Sequence, residues 1–454
     1  MWIAATSLRA AMTGGVVQRF LGVNEHVLAQ AALALGNVLG FECPADMALS
    51  RFFREHHALG RRDRASIAES VYGVLRCLRG LRRLAGDEAT PRQLLLAWFV
   101  RGEGWPLDRF DGLVSDEERR WVEALMVADL SGGSLAERAD LPDWLCERLL
   151  ATHDEAGLLA LAQSLNQPAP LDLRVNVLKL GRDAALARLR DSGLDAVPCR
   201  WSPHGVRLVG KPVLQQHPLF LDGSIEVQDE GSQILGFLVQ PKSGEVVVDF
   251  CAGAGGKTLQ LGALMRSGGH LYALDVDGKR LARLRPRVAR AGLSNVHPIS
   301  IAHERDARLK RLAGKADRVL VDAPCSGLGT LRRNPDLKWR QTPAAIDEMV
   351  LRQRAILEAA AKLVRPGGCL VYATCSLLDE ENDGVVDAFL ADRSEFTALS
   401  AEDILVRQGI APGTGERLRL TPLAHGTDGF FATVLTRRYA SCAASFVHGG
   451  TFPA

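Results

Sequence analysis

The sequence predicts an α/β protein. Its C-terminal half is a doubly wound, Rossmann-like sheet, preceded by an all-α region and a small α/β module. Three observations predict this. Apolar residues recur at three- and four-residue intervals up to about residue 150. Alternating, strand-like runs take over from about 160 to 240. From about 241 strand and helix runs alternate in the β-α-β rhythm, with a tight glycine loop after the first strand. The expected division is a leader over 1–25, a helical domain over 26–155, an α/β module over 156–240, the sheet domain over 241–439 and a tail over 440–454.

The helical part rests on "NEHVLAQAALALGNVLG" and "DRASIAESVYGVLRCLRGLRRLAG". The second reads as one helix with Asp63 as its cap. On it Arg76, Arg79 and Arg83 would share a face, solvated or facing RNA. "LPDWLCERLL" begins a short helical connector. In the module "PLDLRVNVLKL", "VRLVG" and "SIEVQDEGSQ" read as strands, with "RDAALARLRDSG" as a helix. In the sheet domain "EVVVDF", "HLYALDV", "DRVLVDAP" and "GGCLVYATCS" read as strands. "KTLQLGALMRSG", "GKRLARLRPRVARAG" and "PAAIDEMVLRQRAILEAAAKLV" read as helices, and the end as a hairpin.

A chain of 454 residues exceeds one ordinary core. A net charge of +2 means that any nucleic-acid surface must come from local basic clusters. Nine cysteines, an odd number without a C-x-x-C pair, support neither a disulfide framework nor a zinc site. They suggest a reducing compartment. No run is long enough to span a membrane, and "MWIAATSLRAAMTGG" lacks the pattern of a signal peptide. A cytoplasmic monomer without metal is the expectation.

The loop "CAGAGGKT" leaves three readings open. A dinucleotide site needs G-x-G-x-x-G, which the adjacent Gly255 and Gly256 break. A phosphate loop needs a first glycine where Cys251 stands. An S-adenosylmethionine loop needs no pyrophosphate nest, and suits acids at strand ends: Asp249 beside the loop, and Asp275 where it would take the ribose hydroxyls. The other reading of Asp275 is an N-cap for a helix starting near Gly278.

Two cysteines, Cys325 in "DRVLVDAPCSG" and Cys375 in "LVYATCS", end strands of one sheet, where all carboxyl ends open on the ligand face. After Cys375 the chain turns acidic, as if meeting solvent. Two thiols over a methyl-donor site suit methylation of a carbon that is not nucleophilic, such as C5 of cytosine. A thiolate adding to C6 makes C5 an enamine carbon. Asp322 is placed to hydrogen-bond the cytosine edge.

At these residues the sequence resembles the Sun/Nop family of RNA cytosine-C5 methyltransferases, and within it the bacterial ribosomal RNA branch. The resemblance is carried by "QDEGSQ", "DFCAGAGGKT", "ALDVDGKRL", "LVDAPCSGLGTLRRNPDLKW", "LVYATCSLLDEEN" and "TDGFF", in the family's order. Together they are specific; any one alone is not. The helical part looks like the NusB-like domain of this branch. The resemblance implies that Cys375 is the nucleophile and that Cys325 assists product release. It implies that Cys251, Ala252, Gly253, Ala254, Gly255, Gly256 and Lys257, with Asp275 and Asp322, bind S-adenosylmethionine. A third cofactor-side acid is assigned to Asp306, with Glu304 as the alternative. The family loop often reads C-A-A-P-G-G-K; Gly253 and Ala254 replace its Ala-Pro pair here, which implies a more flexible loop. Arg332, Arg333, Lys338 and Trp339 form a basic loop suited to RNA phosphates and an unstacked base. The implied substrate is small-subunit ribosomal RNA, with transfer RNA as the alternative. Cys375 argues against a DNA cytosine methyltransferase, which uses the Pro-Cys thiol. Intact thiols and loop argue against a non-catalytic RNA-binding assembly factor.

Overall fold

The computed structural model describes residues 22–128 and 132–439; most of the predicted leader and all of the predicted tail lie outside them. The chain divides into two compact units that meet at Pro142 and Asp143.

The first unit is helical. Its first described helix, Glu25–Leu39, starts inside the predicted leader because Asn24 accepts from the Val27 N–H at 2.9 Å. The segment predicted as one long helix is two, Arg61–Arg76 and Leu78–Ala85, broken at Cys77. Asp63 is not the cap. It lies at the third helical position, where its carboxylate accepts from the N–H of Gly60, the N-cap. Helices Arg61–Arg76 and Pro91–Arg101 approach closely at Gly73, where a Cβ would fall 2.1 Å from the Trp98 ring. The break separates Arg76 from Arg79 and Arg83. Arg76 is buried, and Arg79 donates to the Leu141 carbonyl at 2.8 Å.

The second unit begins earlier than the predicted boundary at 155. Arg148, on helix Asp143–Leu150, pairs with Glu380 at 2.6 Å and so belongs with the C-terminal sheet. Four strands then form an antiparallel sheet in the order β2-β3-β1-β4: β1 (Leu171–Val175), β2 (Ala196–Pro198), β3 (Gly205–Leu208) and β4 (Ile225–Val227). β4 is shorter than predicted. Asp229 accepts from the Gly231 N–H and caps a helix, Glu230–Val239, so "EGSQ" is helical.

The large sheet has the order β10-β12-β9-β8-β5-β6-β7, with β11 paired to β12. Its parallel strands are β5 (Val246–Asp249), β6 (His270–Asp275), β7 (Val296–Ser300), β8 (Ala316–Asp322) and β9 (Val364–Thr374). β12 (Phe430–Arg437) runs antiparallel between β9 and β10 (Phe396–Leu399), and β11 is Leu418–Leu420. Alternate side chains feed two cores. Val248, Val319, Val321, Leu370 and Tyr372 face one layer; Val247, Leu320, Val371 and Ala373 face the other. Burial on both faces is why these strands read as nearly unbroken apolar runs. The predicted helix after β6 is two, Gly278–Ala282 and Leu284–Ala291. Pro286 lacks an N–H for a continuing ladder and crowds the preceding turn. No described helix is long and apolar enough to cross a membrane.

Candidate active site

The sheet order reverses at β5, with β6 on one side and β8 on the other, so a crevice opens at the carboxyl ends of β5 and β8. Asp249, Asp275 and Asp322 are the last residues of β5, β6 and β8, and Cys375 follows the last residue of β9.

The loop after β5 is shaped by two glycines. Gly253 has φ +56° and Gly255 has φ +89°, a region that favours glycine. At Gly255 a Cβ would fall 2.1 Å from Leu284 Cδ1. The Gly253 N–H donates to Asp275 Oδ2 at 2.6 Å, and the Gly255 N–H closes the turn on the Ala252 carbonyl. Two arginines that sequence reasoning missed clamp the loop. Arg287 donates to the Ala254 carbonyl at 2.6 Å. Arg174, buried on β1, donates to the Gly256 carbonyl at 2.7 Å; burial lowers its pKa to about 10. Ala252 is buried against Leu259 and Leu281, while the Cys251 side chain packs on the sheet core, where burial pushes its thiol well up.

Asp275 is not a helix cap. Asp277 takes that role, accepting from the Lys279 and Arg280 N–H groups, and its own N–H donates to Asp275 Oδ1 at 2.7 Å. Asp249 is fully buried. Thr258 donates to its Oδ2 at 2.7 Å, while Oδ1 has no hydrogen-bond partner among the described residues. Burial raises its pKa to about 7, and the nearby Asp322 charge adds to this. Asp306 follows β7 and caps the short turn Ala307–Leu312. Its carboxylate accepts from the Ala302 N–H at 2.8 Å and pairs with Arg308, contacts that hold it well below the usual carboxylate range. Glu304 pairs with Arg305 at 3.6 Å.

The two thiols meet. Cys325 Sγ lies 3.3 Å from Cys375 Sγ, and the Cys375 N–H points to Cys325 Sγ at 3.3 Å. The hydrogen bond to Cys375, and then burial, push the Cys325 thiol well up. Lys257 Nζ pairs with Asp322 at 2.7 Å and lies 5.9 Å from the Phe430 ring centroid. Burial opposes its charge, but Asp322, and then Cys375 and Asp249, hold its pKa above the ordinary lysine value.

The predicted RNA loop is turned inward. Arg332 is buried and pairs with Asp428. Arg333 joins Asp428 to Asp229 and the Pro170 carbonyl. Lys338 is fully buried, with Nζ 2.9 Å from Asn166 Oδ1. The two arginines were misread because their acid partners lie about a hundred residues away in sequence.

A family model described as 16S rRNA methyltransferase RsmB/F matches residues 236–436. A second, described as an RsmF/B-like ferredoxin-like domain, matches residues 141–214. The probable ribosomal RNA small subunit methyltransferase B of Synechocystis sp. is 33% identical over 90% of this chain and 98% of its own length. This chain belongs to the RsmB/F family of 16S rRNA methyltransferases. The ribosomal RNA small subunit methyltransferase B of Sodalis glossinidius is 33% identical over 85% of this chain and 92% of its own. A crystal structure of a methyltransferase homologue from Pyrococcus horikoshii superposes with TM-score 0.54 at 29% identity, covering 66% of this chain and all of that one.

The family's methyl donor is S-adenosylmethionine, and the crevice fits it. A cofactor with a diol and two positive charges but no phosphate suits a glycine loop flanked by strand-end carboxylates, one with an unpartnered buried oxygen. The Cys251–Lys257 loop, Asp249 and Asp275 would hold it.

Proposed function

We propose that this RsmB/F methyltransferase acts on C5 of a cytosine in small-subunit ribosomal RNA, through a covalent bond between Cys375 and C6. The observation that carries this reading is the thiol pair, 3.3 Å apart at the carboxyl edge of the sheet, beside the Lys257–Asp322 pair. A methyltransferase acting on an oxygen or an exocyclic nitrogen needs no thiol, whereas C5 of cytosine gains nucleophilicity only after addition at C6.

Cys325 is the thiol held protonated, so it can donate its S–H to a Cys375 thiolate. The Lys257 ammonium supplies a cation to that thiolate, consistent with the effect of Cys375 on its own pKa. Cys375 adds to C6, and the ring electrons move to C5. Asp322, partly exposed at the crevice, accepts from the cytosine amino edge and orients the base. S-adenosylmethionine supplies, when bound, a methyl group on a sulfonium for C5 to attack. The C5 proton then passes to solvent water, which restores the C5–C6 double bond and expels the Cys375 thiolate, with the adjacent Cys325 assisting. The target base must leave its stack to reach the crevice.

The test is to incubate the purified protein with unmodified 16S ribosomal RNA and methyl-labelled donor, then digest to nucleosides. Label in 5-methylcytidine is the expected result. Label in another nucleoside, or transfer to transfer RNA alone, overturns the proposal.

A further inference from the structure

Glu381 is a fully buried carboxylate in the segment that the sequence presents as an acidic run meeting solvent. Four donors from three elements converge on it. Oε1 accepts from the Ser326 N–H at 2.8 Å and from Gln353 Nε2 at 3.0 Å. Oε2 accepts from Ser326 Oγ at 2.5 Å and from Ser376 Oγ. Ser326 follows Cys325 and Ser376 follows Cys375. Gln353, on helix Pro343–Ala361, also donates to the Pro324 carbonyl at 3.0 Å, on the other side of Cys325. The Glu381 backbone is itself fixed. Tyr372, on β9, donates to its carbonyl at 2.7 Å, and the next residue, Asn382, bonds Thr374 Oγ1 at 2.5 Å and the Ser376 carbonyl at 3.2 Å. A carboxylate sunk this deep needs all of these donors to offset its lost hydration. All are supplied by the residues around the two thiols and the helix behind them.

We infer that Glu381 is a positioning residue for the thiol pair: its carboxylate ties the Cys325 loop to the Cys375 loop and sets the 3.3 Å spacing of the two sulfurs. The consequence for catalysis rests on the two-thiol reading proposed above; the geometry does not. The side chain works by reach rather than by charge. A glutamine keeps one oxygen for Ser326 N–H and Gln353, and both serine hydroxyls turn to accept from its amide. An aspartate keeps the charge but is one methylene too short to span the loops.

The experiment compares Glu381→Gln and Glu381→Asp with wild type in two assays. One follows formation of the Cys325–Cys375 disulfide in oxidised glutathione by peptide mapping; two thiols lose two protons and two electrons, and two glutathione thiols are released. The other measures kcat and KM for methyl transfer, with donor affinity and melting temperature as checks on folding. Expected for the aspartate is a kcat lower by about 10²-fold, as sub-ångström to ångström misplacement produces. Its disulfide formation should slow in parallel, with KM and donor affinity within about twofold of wild type. The glutamine should recover most of both rates. Ser376→Ala, which removes one arm only, stands in if the aspartate variant does not fold, with an intermediate loss expected. An active aspartate beside an inactive glutamine overturns the inference, because charge and not reach would then matter. Wild-type disulfide rates in every variant overturn it as well. Disulfide rates that follow the expected order while methyl transfer does not would uphold the staple and refute the two-thiol mechanism instead.

Discussion

Asp249 gives the cofactor site a pH dependence that can be worked out in advance. Its carboxyl is buried at the end of β5 with one oxygen unpartnered, and burial places its pKa at about 7. In the free protein it is therefore about half protonated at pH 7. A donor carrying a sulfonium and an ammonium favours the ionised form, so binding should release a proton. The apparent dissociation constant then scales as one plus the ratio of proton concentration to the acid constant. That factor is about 11 at pH 6 and about 1 at pH 8, an affinity change of about tenfold. The same shift acts on stability with a definite sign. The folded carboxyl holds its proton up to about pH 7, whereas an unfolded aspartate loses it near pH 4. The free protein should therefore lose stability as pH rises through that window, by roughly 4 kcal/mol in total. The assay is calorimetric titration of S-adenosylmethionine between pH 6 and 8 in two buffers of different ionisation enthalpy, for wild type and Asp249→Asn. A tenfold rise in affinity with proton release, both absent in the variant, is expected. An affinity independent of pH in wild type, without buffer dependence of the heat, would refute the reasoning.

Gly255→Ala should weaken donor binding by about tenfold or more, because a left-handed φ and a Leu284 contact at 2.1 Å must both relax; equilibrium titration checks it, and unchanged affinity would contradict the loop geometry. Arg333→Ala should cost about 3 kcal/mol in chemical denaturation, since Asp229 and Asp428 lose their shared partner. The same variant should leave the salt dependence of RNA binding unchanged, whereas a phosphate contact would reduce that slope by about one unit.

The rhythm of the C-terminal sheet was legible because parallel strands covered on both faces write themselves as apolar runs between helices. The strand-end positions of Asp249, Asp275, Asp322 and Cys375 follow from the same rule. What escaped was set by tertiary partners. Cys77 and Pro286 divide segments whose apolar spacing runs on unbroken. Arg332, Arg333 and Lys338 look like an RNA loop until their partners, far along the chain, are seen to engage them. Glu381 was hidden by its neighbours: in an acidic run nothing local separates a solvated carboxylate from one that receives four donors. The repeated Cys-Ser pair, at 325–326 and 375–376, was the available signal, since a serine after each thiol invites a common acceptor. Arg174 and Arg287 lie in segments read only for their periodicity, so their hold on the glycine loop had no sequence signature.

The central claim is that Cys375 bonds the base and Cys325 assists its release. The most direct measurement compares wild type, Cys375→Ala and Cys325→Ala on unmodified 16S ribosomal RNA, scoring methyl transfer and denaturant-resistant protein–RNA adducts together. The account predicts neither product nor adduct from Cys375→Ala, and accumulated adduct from Cys325→Ala. Adduct lost in Cys325→Ala, with methylation retained in Cys375→Ala, would contradict it.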